Sequence, residues 1–361
     1  MKKLLSLLLA VALIITTGSV ALAANYNGFI YTQNTDGTYT ITGYNDFHAD
    51  LVNIPAQING VNVTAIGNGA FQTKNNIQVV RIPETVTSIG SMAFYGCKNL
   101  SSVVIGDNVT SIGAKAFNSC TALTGVNLRN VQVLGEYAFY GCTSLQELFC
   151  GNALKVIGKN AFNKCAQLNF IKMSDTLLYI DDYAFAGCTA VTSVSFPDSL
   201  GYIGNSAFKG CTALTGVSFG TGDLKIASYA FENCVALSAI TIPDNVTEIG
   251  RYAFALREAN SNTFTHSIKI TCSMNSAAMI YAKANGINVI INGTDHTLSE
   301  FGDINRDGKV TTDDAYKALR VSASLEPLPD EDTFFLCDIN SNGVLDTNDV
   351  RAILKIASGL A

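Results

Sequence analysis

The chain has 361 residues, 48% of them hydrophobic and 14% charged, with a formal net charge of −6. That apolar content excludes a disordered chain, and the acidic balance argues against binding a phosphate backbone through bulk electrostatics. Trp is absent and His occurs three times, at His48, His266 and His296, which is thin material for acid–base catalysis.

In chain order, the first segment is a leader. Lys2 and Lys3 precede an apolar run from Leu4 to Ile15, and Ala21-Leu22-Ala23 supplies a small-x-small cleavage site. Residues 1–23 read as a secretory signal peptide, since the run is too short to span a bilayer. No later stretch reaches spanning length, so the expected location is secreted and extracellular. Residues 24–62 then form an N-terminal cap with a degenerate repeat, in which Tyr39 to Thr42 alternate as a strand and Pro55 stops one.

Residues 63–260 are dominated by self-similarity. Ala-Phe recurs with its Phe at 71, 94, 117, 139, 162, 185, 208, 231 and 254, every step being 23 residues except one of 22. Around each Phe runs a pattern like Ile89-Gly90-x-x-Ala93-Phe94-x-x-Cys97, followed by Leu100-x-x-Val103-x-Ile105. The tail alternates as a half-buried strand requires, and the pattern predicts one parallel strand per repeat and a short helical or 3₁₀ turn at Ala-Phe. One unit cannot bury its apolar edge alone, so the copies must stack. This stretch resembles the BspA-like leucine-rich repeat, over roughly Leu51 to Asn292. The resemblance implies an α/β leucine-rich-repeat solenoid with a parallel sheet of about nine 23-residue repeats.

Residues 261–298 read as a C-terminal cap and linker: a loop from Arg257 to Thr265, a strand at Ile268 to Ile270, a helix from Asn275 to Asn285 stopped by Gly286, and a closing strand at Ile287 to Ile291. Seven of the ten cysteines (Cys97, Cys120, Cys142, Cys165, Cys188, Cys211 and Cys234) lie three residues after the repeat Phe. Stacked copies hold these side chains roughly 4.8 Å apart, too far for ordinary disulfide geometry, so buried thiols are expected. On the exposed face of the strands most residues are small. Glu147 and Phe149 on one strand, Phe170 and Lys172 on the next, and the adjacent Asn127 are the exception, and they form the candidate ligand surface of the solenoid.

Acidic charge concentrates at the end: residues 299–361 hold twelve Asp and Glu against six Lys and Arg. It belongs to two twelve-residue loops with oxygen donors at the spacing that wraps Ca²⁺. The candidate ligands are Asp303, Asn305, Asp307, the Lys309 carbonyl, Thr311 and Asp314 in the first. Asp338, Asn340, Asn342, the Val344 carbonyl, Asp346 and Asp349 supply the second. Asn342 replaces Asp at position 5, which points to less charge and weaker binding in the second loop. Apolar helix patterns follow both, with Leu319, Val321 and Leu325 matched by Leu354, Ile356 and Leu360.

Residues 299–361 resemble a type I dockerin, a small all-α calcium-binding module that plugs into a cohesin on a cellulosome scaffold. The resemblance implies two structural Ca²⁺ ions and cohesin contacts at Thr312, Asp313 and Arg320 and at Thr347, Asn348 and Lys355. The expected protein is therefore a secreted, non-catalytic binding or adhesion component with a cohesin and an unknown protein or glycan as partners, no nucleic acid and no membrane span. A cellulosomal glycoside hydrolase is the rival reading. It finds no carboxylate pair apart from Asp181-Asp182, which reads as a solvated turn. A purely structural spacer is the third.

Overall fold

The computed structural model describes residues 23–258, 263–273, 276–291, 294–296, 300–327, 331–340 and 342–358. The leader expected over residues 1–23 falls almost wholly on residues 1–22, outside the described residues, as does Leu360. The chain winds as a parallel-sheet β-solenoid of about 11 turns.

Each turn contributes two strands where the sequence pattern predicts one. The Leu-x-x-Val-x-Ile tails form three-residue strands such as Ser102–Val104, Gly125–Asn127, Glu147–Phe149 and Phe170–Lys172, paired in parallel within short, separate ladders. A second strand lies just before the repeat glycine, as in Ser88–Ile89, Ser111–Ile112, Val133–Leu134 and Val156–Ile157. These second strands pair in parallel without a break from Val61–Ile66 to Val246–Ile249. Glycine follows the second strand in most rungs. A Cβ at Gly90, Gly113, Gly135, Gly158 or Gly204 would lie 2.5–2.7 Å from backbone of the preceding rung, so these positions suit a residue without a side chain. The ladder nevertheless continues unbroken past Asp181 and Ala227, which hold the same position after Ile180 and Ile226.

The core is a column of phenylalanines. From Phe71 to Phe254 neighbouring rings stack with centroids 4.9–5.3 Å apart and planes within 4–12°. The turns that carry them are not helical, contrary to the sequence pattern. The Phe N–H groups leave their own rung and donate to the Ala carbonyl of the next, as Phe94 N does to Ala116 O at 2.7 Å. A helix would have kept those bonds local.

All ten cysteines are free and buried. The ladder thiols do more than fill space. Cys120 Sγ donates to Phe94 O at 3.2 Å, and the same bond to the preceding rung recurs at Cys97, Cys142, Cys165, Cys188, Cys211 and Cys234. Burial pushes the Cys142 and Cys188 thiols up to about 12.

Both ends of the column are covered. At the N-terminal end Ala24–Tyr26, Phe29–Gln33 and Tyr39–Tyr44 form an antiparallel meander, and Phe29 and Tyr44 pack on Phe71. At the other end helix α1 (Ala277–Asn285) is N-capped by Ser276 and stopped by Gly286 at φ +70. Its Tyr281 hydroxyl accepts a bond from Phe254 N at 3.1 Å. Two details differ from the sequence reading. Leu256–Arg257 and Phe264–Thr265 pair antiparallel where a loop was expected, and Thr294–His296 adds a further strand beyond Val289–Ile291. Both use backbone groups that would otherwise be left unpaired at the end of the ladders.

The C-terminal segment holds α2 (Thr312–Ser322), α3 (Glu331–Cys337) and α4 (Thr347–Ala357). Ile304, Ala315, Ala318, Val321, Cys337, Leu345 and Ile353 form its small core. Phe301 and Leu336 join the core of the solenoid instead. Lys283 of α1 lies over the Phe301 ring, and its Nζ donates to the Asp338 carbonyl at 2.7 Å. Among the described residues no helix is long and apolar enough to cross a membrane.

Candidate functional site

Two regions carry the residues singled out by sequence. The first is the outward side of three neighbouring strands. Their register sets Asn127 opposite Phe149, Glu147 opposite Phe170, and Phe149 opposite Lys172. All five residues therefore share one patch. The Phe149 and Phe170 rings meet at 5.3 Å, tilted by 49°, and Phe170 stays 47% exposed. Gly125 on the first of these strands and Ser193 on the next strand beyond them are small, so little crowds the half-exposed Phe170.

The patch divides. Asn127, Phe149 and Lys172 line a cleft of about 380 Å³, whereas Glu147 and Phe170 lie outside it. The other walls come from turns that follow the strands: Arg129 and Asn130 from one, Asn152 from the next, and Asp107 from the one before. Arg129 Nη1 sits 2.6 Å from Asp107 Oδ1, and Asn130 Nδ2 donates to the Asp107 carbonyl at 2.9 Å. Sequence reasoning looked along the strands and missed these turn residues. Their signal in the sequence is the recurring Asn108-Val109 and Asn130-Val131 after the strands. The Asp181-Asp182 pair is a turn: Asp181 Oδ1 accepts from Asp182 N, and Asp182 Oδ1 accepts from Asn205 N.

The second region is the pair of acidic loops. In the first, Asp303 Oδ1 accepts from Asp307 N at 3.1 Å and its Oδ2 from Gly308 N at 2.8 Å. Asn305 Oδ1 accepts from Asp307 N, and Asp314 accepts from Asn305 N and Thr311 N. The second loop repeats this. Asp338 accepts from Asn342 N and Gly343 N, Asn340 Oδ1 from Asn342 N, and Asp349 from Asn340 N and Asp346 N. Gly308 and Gly343 make the sharp turn at φ +85 and +79. Asp314 and Asp349 also complete capping boxes on α2 and α4, which fixes their rotamers.

The donor set suits a hard divalent cation. Asp303, Asp314, Asp338 and Asp349 are all buried, and two carboxylates facing one small loop repel unless a cation lies between them. Among the described residues no three His, Cys, Asp or Glu side chains cluster tightly enough to hold a metal by themselves, so an ion here would rely on amide and carbonyl oxygens as well. The second loop is not short of charge. Asp346 stands at position 9 where the first loop has Thr311, and its Oδ2 lies 3.4 Å from Asn342 Nδ2. Each loop thus counts three carboxylates.

Thr312, Asp313, Thr347 and Asn348 are exposed at the starts of α2 and α4, with Arg320 and Lys355 towards their ends. Arg320 is engaged by Glu326 at 2.7 Å and lies near the Tyr316 ring. Tyr316, Leu319 and Leu354 are also exposed on these helices. Sequence periodicity assigned the two leucines to an apolar pattern. The module's interior instead uses the smaller Ala315 and Ala318.

A repetitive parallel solenoid with a phenylalanine column and surface-borne candidate sites defines a leucine-rich-repeat protein. The family model for the BspA type leucine rich repeat region matches residues 64–192 and 178–279, in six copies, and the chain belongs to that family. Among solved structures it is similar to a leucine rich cell surface protein from Faecalibacterium prausnitzii A2-165, with 28% identity over 64% of this chain and 73% of that one and a TM-score of 0.54. It is also similar to a leucine rich repeat protein from T. pallidum, with 24% identity over 60% of this chain and 90% of that one and a TM-score of 0.46. No curated protein matches the chain.

Proposed function

We propose that the protein is a secreted, non-catalytic recognition component that carries its binding surface on the solenoid and its attachment point at the C-terminus. The F. prausnitzii relative is described as a cell surface protein, which supports recognition or adhesion outside the cell. The patch of Asn127, Glu147, Phe149, Phe170 and Lys172 is the proposed surface for a protein or glycan. A half-exposed Phe170 stacked on the partly buried Phe149 beside charge is the chemistry expected of such a surface.

Residues 299–361 are proposed to act as a type I dockerin. Asp303, Asn305, Asp307, Lys309, Thr311 and Asp314 would hold one Ca²⁺, and Asp338, Asn340, Asn342, Val344, Asp346 and Asp349 a second. Thr312, Asp313, Arg320, Thr347, Asn348 and Lys355 would meet a cohesin on a scaffold protein. The observation that carries this reading is the pair of matched loops, each with two buried carboxylates wreathed by backbone N–H groups and a left-handed glycine at the sixth position. Calorimetric titration of the full chain with a panel of cohesins, in Ca²⁺ and in chelator, tests it. Tight binding only with Ca²⁺, lost in a Thr312→Ala, Asp313→Ala, Thr347→Ala, Asn348→Ala variant, is the expected result. Two bound Ca²⁺ with no cohesin partner would reduce the segment to an ion-stabilised tail.

A further inference from the structure

The two caps of the solenoid serve different ladders. At the N-terminal end Tyr39–Tyr44 pairs in parallel with Val61–Ile66 and so extends the ladder that precedes the repeat glycines. At the C-terminal end Lys269–Thr271 pairs with Ala239–Thr241, and Val289–Ile291 and Thr294–His296 follow it, so that cap extends the other ladder. The glycine-side ladder therefore stops at Val246–Ile249, whose one partner strand among the described residues is Leu224–Ile226.

The earlier rungs show what this last one lacks. One carbonyl that accepts from the next rung belongs to the isoleucine: Ile180 O accepts from Gly204 N, Ile203 O from Ala227 N and Ile226 O from Gly250 N, each at 2.8 Å. The other lies two residues earlier: Lys155 O accepts from Leu178 N at 2.9 Å, and Leu178 O from Gly201 N and Gly201 O from Lys225 N at 3.0 Å. In the last rung these positions are Ile249 O and Thr247 O, and no described group donates to either. An open strand edge of this kind is a template for another strand.

A groove of about 560 Å³ runs along that edge. Thr247, Glu248 and Ile249 form one wall, and Ala277, Ile280 and Ala284, on one face of α1, form the other. Ile280 is 46% exposed, although Tyr281 beside it is buried and bonded to Phe254 N, which pins the helix against the end of the column. The helix offers no ladder groups of its own, since its backbone bonds are closed internally. The outward row of the ladder runs through Tyr202, Lys225 and Glu248. Lys225 Nζ holds Glu248 Oε2 at 3.1 Å with both side chains more than half exposed, a weak pair that a second cation can join from the groove side.

We propose that this groove takes an extended peptide of a partner protein as the next parallel rung, its N–H groups donating to Thr247 O and Ile249 O. An apolar side chain of the peptide stacks on Ile249 and Ile280, and a basic one before it stands beside Glu248. The groove shares no residue with the Phe149–Phe170 patch, so each stands or falls separately.

Calorimetry of the full chain with a synthetic blocked peptide is the test. The peptide has the sequence of residues 85–92 with Ser88→Lys, which sets position 88 beside Glu248, Ile89 beside Ile249 and the Gly90 N–H on Ile249 O. It should bind one to one. N-methylation at Gly90 of the peptide removes that donor and should abolish binding with the protein untouched. A peptide with Ser88→Glu should bind about threefold more weakly, and Glu248→Lys in the protein should reverse the preference. Ala284→Trp, at an exposed helix position, should fill the groove and abolish binding without moving the melting temperature. Phe170→Ala should leave binding unchanged, which separates the groove from the patch. No binding at millimolar peptide, equal binding of the N-methylated peptide, an indifferent Ala284→Trp variant, or self-association of the chain that Ala284→Trp dissolves would each overturn the proposal.

Discussion

In the solenoid the buried side chains are mostly Phe, Leu, Ile, Val, Ala and Cys, repeated rung on rung, with a few polar ones such as Ser174 and Glu232 among them. In the C-terminal segment a core of seven apolar residues sits beside four buried carboxylates. The solenoid spreads its stabilisation over many equivalent contacts, most of them apolar and insensitive to ions. The small module depends on a few charged groups whose repulsion has to be offset. Redundancy protects the first, while the second is conditional on its medium.

The largest expected effect strikes the redundant half. Phe162→Ala removes one ring from the middle of the column, where Phe139 and Phe185 both stack on it at 5.3 Å. Rungs on either side are held by ladder bonds and cannot collapse inwards, so the cost should be about 3–5 kcal/mol, read from urea unfolding. A much smaller loss would mean that the rungs slide together and that the column is less rigid than its near-parallel rings suggest.

Ion removal should then separate the two halves. If each loop holds a Ca²⁺ ion as proposed, a hundredfold excess over its dissociation constant should stabilise the folded module by about 2.7 kcal/mol per loop. Chelator should remove that stabilisation from both loops at once, lowering the melting temperature of the C-terminal module, and leave the solenoid transition where it was. Asp349→Asn should reproduce the loss for the second loop alone, since its carboxylate both faces the loop and caps α4. A solenoid transition that moved with chelator would show that the contact of Lys283 with Asp338 couples the two more tightly than their separate cores imply.

The thiol ladder sharpens the comparison from the alkaline side. In the unfolded chain a thiol ionises near its ordinary 9.0, whereas burial holds Cys142 and Cys188 protonated up to about 12. A raised folded-state pKa gives stability that is complete below pH 9 and is lost as pH climbs towards 12. The solenoid should therefore unfold in that window while remaining indifferent to chelator. Cys142→Ala should shift the alkaline midpoint upwards by removing one ionisable group, at a neutral-pH cost of about 1 kcal/mol for the lost bond to Phe117 O.

Repetition made the fold readable. Nine Ala-Phe copies at a near-constant step fixed the stacking direction, the buried ring and the thiol column before any coordinates. The second ladder was hidden because its strands are mostly only two residues long, and the glycine after Ile89 or Ile112 acts through closeness to another rung. The strand patch was legible because β pairing follows the repeat offset, so Phe149 and Lys172 had to become neighbours. The burial of Glu232 was not legible: it looks like a surface residue until Lys209 and the packing around it cover the carboxylate.

The smallest expected effect on stability carries the most functional weight. Phe170 is nearly half exposed and touches mainly Phe149, so Phe170→Ala should change the unfolding free energy by no more than about 0.5 kcal/mol. A spacer would lose nothing else. A recognition surface would lose binding: on an array of matrix proteins and glycans, at least one ligand of the native chain should weaken by about tenfold while the melting curve stays put. If the variant melts as the native chain does and every captured ligand is retained, the aromatic pair only fills a shallow concavity. Recognition would then have to be sought away from these strands.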